Sequence, residues 1–155
     1  MADQKPPRFI GGERETLTAL LQYHRDSVVR KVEDVSDADA RSSPVASGTS
    51  LLWLVGHLSD AEALWFEIRF AGLPPPPDIG ELPGSMAEAV ERYQATWART
   101  DALVASRDLE DLCHDTGDGQ QTNLRWVLAH LVEETARHAG HVDILRELID
   151  GATGR

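Results

Sequence analysis

The fold follows from one run near the C-terminus, Ala129-His130-Leu131-Val132-Glu133-Glu134-Thr135-Ala136-Arg137-His138-Ala139-Gly140-His141. If each residue advances about 100° around a helix, His130, Glu134, His138 and His141 fall within an arc of about 80°. Three imidazoles and a carboxylate facing a core would be costly to remove from water without a partner. A divalent metal suits such donors, so the run predicts a metal site on a helix. The arc also contains apolar residues, which predicts that it is buried: Val127, Leu145 and Leu148.

Composition limits the class of protein. The 155 residues match one domain, and 15 basic against 26 acidic residues give a net charge of -11. This acidity argues against nucleic acid and anionic membranes as partners. A lone cysteine, Cys113, excludes an internal disulfide and a cysteine-based zinc site, and indicates a reducing compartment. The longest strongly apolar run, 51–55, is too short to span a bilayer. We therefore expect a cytoplasmic protein.

Apolar residues recur at helical spacing in four segments, and no segment alternates as a strand does. This pattern predicts an all-α four-helix bundle. Residues 1–12 are expected to form a flexible arm, and 13–155 a single domain. The connection at 36–49 contains Pro and Gly and allows at most a short helical turn. The predicted helices span 13–34, 50–71, 85–106 and 122–149.

The ends of the helices carry recognisable capping residues. Thr49 or Ser50 is expected to cap the second helix, and Thr122 or Asn123 the fourth, because their side-chain oxygens accept hydrogen bonds from free backbone N–H groups. Gly151 is expected to end the fourth helix.

His57 supplies a second inward imidazole, on the second helix. Together with Glu134 and His138, four residues apart on the fourth helix, it forms a candidate set of three ligands. Three protein ligands leave a position open, as in catalytic metal sites. His141 is either a further ligand or an acid/base, and Arg137 would steer a substrate carboxylate or pair with a buried acid. The alternative is a hydrogen-bonded core network that holds no metal.

Other metal motifs are absent from the sequence. A di-iron bundle expects Glu-x-x-His on two helices, but Ala136 and Arg137 follow Glu133 and Glu134 at that spacing. The His-Glu-x-x-His motif of zinc proteases is missing too. His130 lies two turns from His138, too far to share one ion with it easily. The sequence therefore favours one metal over two.

Two stretches resemble the DinB-like superfamily, and in particular an uncharacterised actinobacterial branch of it. The first is Thr49-Ser50-Leu51-Leu52-Trp53-Leu54-Val55-Gly56-His57-Leu58, followed by Glu62 and Trp65-Phe66. The second runs from Glu133 to Glu147 and closes with Asp150-Gly151. The resemblance covers about 13–154 and extends to bacillithiol transferases and to the N-terminal part of mycothiol-dependent maleylpyruvate isomerase.

The resemblance implies an up-down-down-up bundle with a three-ligand site, at positions that match His57, Glu134 and His138. It implies zinc, or alternatively nickel, and a mycothiol-like low-molecular-weight thiol used for S-transfer or addition to a small electrophile. His141 or His130 would then act as acid/base, and a homodimer is suggested. The alternatives are a metal-dependent hydrolase and a non-catalytic, stress-associated bundle that binds a metal or ligand.

Overall fold

The computed structural model describes residues 4–153, and its long helices form the predicted four-helix bundle. A short helix lies within the predicted loop at 36–49. Within the described residues, one isolated antiparallel bridge joins Leu112 to Asn123. No helix in 4–153 combines the length and the apolar character needed to span a bilayer. The helices are α1 (Glu13–Val32), α2 (Asp37–Arg41), α3 (Leu51–Glu62, continued by a π-helical segment at Ala63–Phe70), α4 (Met86–Ala105) and α5 (Leu124–Asp150).

Ion pairs at both ends show that α1 and α5 run parallel. Near the helix starts, Arg125 Nε lies 2.7 Å from the Glu13 carboxylate. Near the opposite ends, the Lys31 ammonium pairs with Asp143. The first and last long helices therefore point in the same direction.

Helix α4 runs parallel to α3. The hydroxyls of Ser59 and Thr96 lie 3.0 Å apart, and one turn further along both helices Thr100 Oγ1 donates to Glu62 Oε2 at 3.2 Å. The long connection between Phe70 and Met86 brings the chain back to the other end of the bundle. The two middle helices therefore share a direction.

Helix α3 runs antiparallel to α5. His57 contacts Glu134, whereas Trp65, later in the chain, contacts Trp126, which lies earlier in α5. With α1 and α5 parallel, and α3 and α4 parallel, this gives the up-down-down-up order that the family resemblance implies.

Of the two capping residues predicted for each helix, the structure shows one: Ser50 caps α3 and Asn123 caps α5. The Ser50 hydroxyl accepts a hydrogen bond from the Trp53 N–H at 3.2 Å, and the Asn123 side chain accepts one from the Trp126 N–H at 3.1 Å. Gly151 ends α5 in the left-handed conformation with φ 75°, which glycine adopts without steric cost. These caps fix where the two site-bearing helices begin and where α5 ends.

The buried face of α5 differs from the predicted one. Leu148 is 57% exposed and His141 is exposed as well, so the prediction that the whole histidine arc faces the core is wrong. The buried stripe is centred about 80° further around the helix, and the arc lies along its edge. Because polar Thr135 lies in the middle of this stripe, the sequence pattern does not predict that the stripe is buried. Its residues are Leu124, Val127, Leu128, Leu131, Thr135, Ala139, Val142 and Leu145.

The π-helical segment lengthens α3 without a break. At its end the Ala71 N–H donates to the Phe66 carbonyl, five residues back, at 3.1 Å. In an α-helix the corresponding bond spans four residues. The segment keeps Phe66 and Phe70 buried in the same apolar cluster.

Candidate metal centre

The three predicted ligands meet where α3 and α5 pack together. His57 lies on α3, and Glu134 and His138 lie one turn apart on α5. The Nε2 atoms of His57 and His138 are each 3.0 Å from Oε1 of Glu134. One donor atom from each residue falls within 4.8 Å of the other two. The structure therefore brings together all three residues of the predicted set.

This cluster lies at the edge of the core, with one side open to solvent. The side chains of His57, Glu134 and His138 are 31%, 19% and 13% exposed, respectively. Trp53, one turn before His57, stacks on its ring with centroids 4.9 Å apart and planes 8° from parallel. The indole thus holds the imidazole in orientation while a small molecule can still reach the cluster.

The charge states of the cluster reflect both its partial burial and the contacts among its members. For Glu134, desolvation is the largest influence and acts to raise the pKa, but hydrogen bonds and charges from His57 and His138 together lower it below its ordinary value. For His138, desolvation is again the largest influence. It lowers the pKa, and although the Glu134 carboxylate opposes this, the charges of His57 and His141 add to it and the pKa stays below its ordinary value. A carboxylate and a neutral imidazole are the forms that bind metals.

The donor geometry can be compared with a metal site. Tetrahedral zinc with bonds of about 2.0–2.1 Å places its ligand atoms about 3.3 Å apart. The two Nε2 to Oε1 distances, 3.0 Å each, are within a few tenths of an ångström of that spacing. Two imidazole nitrogens and one carboxylate oxygen are also donors that zinc and nickel accept. The residues therefore fit a divalent metal, and its binding stays a prediction.

His141 lies next to the cluster but outside it. Its Nδ1 is 3.2 Å from Nδ1 of His138, on the opposite side of that ring from Glu134. This contact positions the His138 ring, as partners behind metal-binding histidines commonly do. His141 also borders a pocket of about 290 Å³. The pocket is lined by Val45, Ser47, Thr49, His141, Ile144 and Leu145.

His130 packs among aromatic rings, apart from the three-residue cluster. It stacks on Trp126 with ring centroids 4.9 Å apart and planes 16° from parallel, and it meets Trp65 edge-on at 4.9 Å. Its Nδ1 lies 3.7 Å from the Glu133 carboxylate. The structure thus surrounds His130 with rings, and the acid/base role suggested for it stays a prediction.

Arg137 points outward along α5. Its guanidinium donates to Glu133 at 3.1 Å, and its side chain is 59% exposed. This contact differs from the predicted pairing with a buried acid, because the Glu133 side chain is 63% exposed. The steering of a substrate carboxylate stays a prediction.

Sequence reasoning missed the role of the tryptophans. The sequence pattern assigns these side chains no contact, yet Trp53 stacks on a candidate ligand and Trp65 joins Trp126 around His130. The four-residue spacings of Trp53 to His57 and Trp126 to His130 were the available signal, since such pairs are neighbours on a helix.

Comparisons with known proteins bear on both the fold and the family. The chain is similar to a conserved protein from Enterococcus faecalis, with 15% identity, a TM-score of 0.70, and coverage of 92% of this chain and 100% of that one. It is also similar to a DinB-like protein from Bacillus cereus ATCC 10987, with 15% identity, a TM-score of 0.66, and coverage of 84% and 89%. At such identities the likeness concerns the fold.

A comparison with curated protein sequences finds no match. The family model described as Mycothiol-S-transferase matches residues 16–151, which include every long helix except the first turn of α1. The chain therefore belongs to the mycothiol-S-transferase family, within the DinB-like superfamily.

Proposed function

We propose that this protein is a metal-dependent transferase that joins the sulfur of a mycothiol-type thiol to a small electrophile. The observation that carries the proposal is the convergence of His57, Glu134 and His138 from two helices at a solvent-accessible edge. Membership of the mycothiol-S-transferase family supports the choice of thiol.

The chain's own residues would divide the work. His57, Glu134 and His138 would hold zinc or nickel, and such an ion, when bound, lowers the pKa of a thiol and keeps its thiolate available at neutral pH. His141 would accept the thiol proton at Nδ1, exchanging its contact with His138 for the incoming proton, because it is the exposed imidazole next to the cluster. A new bond then forms between sulfur and the electrophilic carbon. Either a leaving group departs with its electron pair, or an addition product takes up the proton.

The pocket beside His141 is the proposed place for the electrophile. Its volume of about 290 Å³ suits a small molecule. His141 lines this pocket and also contacts His138 of the metal cluster. Val45, Ile144 and Leu145 make most of the pocket apolar, while Ser47 and Thr49 contribute hydroxyls. An apolar acceptor with one polar group would fit these walls.

The test is turnover that depends on both thiol and metal. Purified protein loaded with zinc or nickel is assayed by chromatography for conjugates of mycothiol with small haloalkanes and epoxides. We expect conjugate formation by wild-type protein and at least a hundredfold lower rate for His138→Ala. Leu148→Ala is the matched control, since Leu148 lies on the same helix, exposed and beyond the site.

Other outcomes would separate the alternative functions. A product formed at the same rate without any thiol would indicate a metal-dependent hydrolase. Absence of turnover with stoichiometric metal present, across thiols and electrophiles, would indicate a metal-binding bundle without catalysis. Either outcome would overturn the proposed transferase.

A further inference from the structure

A group of aromatic rings lies on the same seam between α3 and α5 as the metal cluster. We call it the ring cluster and define it as Trp65, Trp126 and His130. Trp65 and Trp126 have centroids 5.0 Å apart, and His130 stacks on Trp126 while meeting Trp65 edge-on. The Arg69 guanidinium lies 4.2 Å from the centre of the Trp65 ring. Every ring thus contacts both others.

The ring cluster lies at the edge of the core, where Trp65 packs against buried apolar residues and Trp126 faces solvent. Trp126 is 45% exposed, and Trp65 and His130 are half-buried. Leaving a large aromatic surface in water forgoes the stabilisation that its burial would bring, and groups of such side chains commonly mark binding sites. Glu133, beside His130, adds a carboxylate, and Arg69 adds a guanidinium that covers one face of Trp65.

The position of the ring cluster relative to the metal cluster follows from the helix. His130 precedes Glu134 by four residues and Trp126 precedes it by eight. A helical rise of 1.5 Å per residue places them about 6 Å and about 12 Å from Glu134 along α5. The pocket beside His141 lies beyond His138, in the opposite direction. A molecule anchored at the metal cluster and directed toward the start of α5 would therefore lie over the rings and leave that pocket free.

We propose that the ring cluster binds the sugar and cyclitol rings of the thiol co-substrate, an inference that rests on the proposed transferase function. A saturated polyhydroxylated ring has C–H bonds on its faces, and these carry slight positive charge that favours the negative face of an indole. Its hydroxyls point outward, where Glu133 and Arg69 offer an acceptor and a donor. Mycothiol carries a glucosamine and an inositol ring beyond its cysteine, in an order that matches metal cluster, His130 and Trp126.

The first experiment uses a ligand without sulfur. Saturation-transfer NMR with a glucosamine–inositol disaccharide reports contact of its ring protons with the protein and requires no metal. We expect a signal with wild-type protein and with His138→Ala, and at least a tenfold weaker signal with Trp126→Ala. Trp126→Phe, which keeps an aromatic face, should restore most of the signal, and Leu148→Ala should leave it unchanged.

The second experiment uses turnover with mycothiol. Trp126→Ala should raise KM for the thiol about tenfold, while kcat, KM for the electrophile and bound metal stay within twofold of wild type. Circular dichroism verifies that the variant is folded. Trp126→Leu, which fills more of the same space without an aromatic face, gives the same readouts should Trp126→Ala fail to fold.

Three results would overturn the inference. The first is no disaccharide signal with wild-type protein, and the second is an equal signal with wild-type protein and with Trp126→Ala. The third is a changed sedimentation mass for Trp126→Ala together with an unchanged KM for the thiol. That result would identify the rings as a contact between copies of the chain. Disaccharide binding that needs Trp126, in a protein without thiol-dependent turnover, would support the ring site and reject the transferase. Thiol-dependent turnover that is unchanged in Trp126→Ala would support the transferase and reject the ring site.

Discussion

Arg25 and Glu62 form a two-point ion pair inside the bundle, with Nη2 2.6 Å from Oε2 and Nε 2.8 Å from Oε1. Their side chains are 2% and 0% exposed. Asp101 accepts a further bond from Arg25 at 2.8 Å, and Thr100 donates to Glu62. The pair joins α1 to α3, and its neighbours on α4 extend it to a third helix.

Removing one partner of this pair should destabilise the protein strongly. In Glu62→Ala the Arg25 guanidinium stays buried with its main counter-charge gone, so we expect the free energy of unfolding to fall by about 3–5 kcal/mol. Arg25→Met combined with Glu62→Leu should recover most of the loss, because no buried charge remains uncompensated. Urea unfolding followed by circular dichroism measures both, and a loss below about 1 kcal/mol in Glu62→Ala would contradict the prediction.

Metal content should depend on the three clustered residues and be independent of His130. Elemental analysis of untagged protein should find near-stoichiometric zinc or nickel in wild type and little in His57→Ala and His138→Ala. His130→Gln is the matched control, since His130 lies on the same helix but contacts Trp65 and Trp126 instead.

An absence of metal in wild-type protein, even after reconstitution, would leave the hydrogen-bonded network as the explanation of the cluster. Loss of metal in His130→Gln, with the fold intact, would require a site shifted toward the N-terminal half of α5.

Cys113 should be unreactive in the folded protein. Burial, the largest influence, raises the pKa of this thiol, and the positive charge of Arg69 only partly opposes it. Since the thiolate is the reactive form, Ellman's reagent at pH 8 should label Cys113 slowly in buffer and at once in guanidinium chloride. Equal rates in the two conditions would show that the thiol is accessible.

The same shift makes stability depend on pH. In the unfolded chain the thiol ionises around its ordinary pKa of about 8.5, whereas the folded protein keeps it protonated to higher pH. The contribution of this thiol to the free energy of unfolding should therefore be constant below about pH 8.5. It should be lost as the pH rises through the folded-state pKa. In Cys113→Ala, the free energy of unfolding should decrease less over this pH range than in wild type. An identical decrease in the two proteins would assign the effect to other groups.

The start of α5 should depend on Asn123 and not on Thr122. Asn123→Ala removes the acceptor for the Trp126 N–H and should cost about 1 kcal/mol of unfolding free energy. Thr122→Ala removes a neighbouring side chain without that role and should change stability by less than about 0.5 kcal/mol. Thermal unfolding of the two variants compares them, and a larger effect of Thr122→Ala would reverse the assignment.

Much of the fold could be predicted because its signals are local. Helical periodicity and the oxygen side chains of Ser50 and Asn123 depend only on nearby residues, and the observed helices begin where these caps lie. The grouping of His57 with Glu134 and His138 could also be predicted. Two ligands four residues apart lie on the same face of one helix, and a single inward histidine on another helix completes a set of three.

Other features depend on contacts between distant segments. Arg25 and Glu62 are 37 residues apart, and a charged residue on an isolated helix is normally expected to face water. The buried face of α5 differs from the predicted one because polar Thr135 lies at the centre of its buried stripe, whereas apolar Leu148 is exposed. Such outcomes are decided by which helix packs against which face.

The π-helical segment at Ala63–Phe70 has a consequence for comparing this chain with its relatives. A turn closed over five residues holds more chain than an α-helical turn without displacing the helix on either side. A relative with one residue fewer between His57 and Phe70 would keep both positions in place by forming an ordinary α-helix. An alignment of the family should therefore place its gap inside this segment, and a gap moved to before His57 would pair that ligand position with the wrong residue.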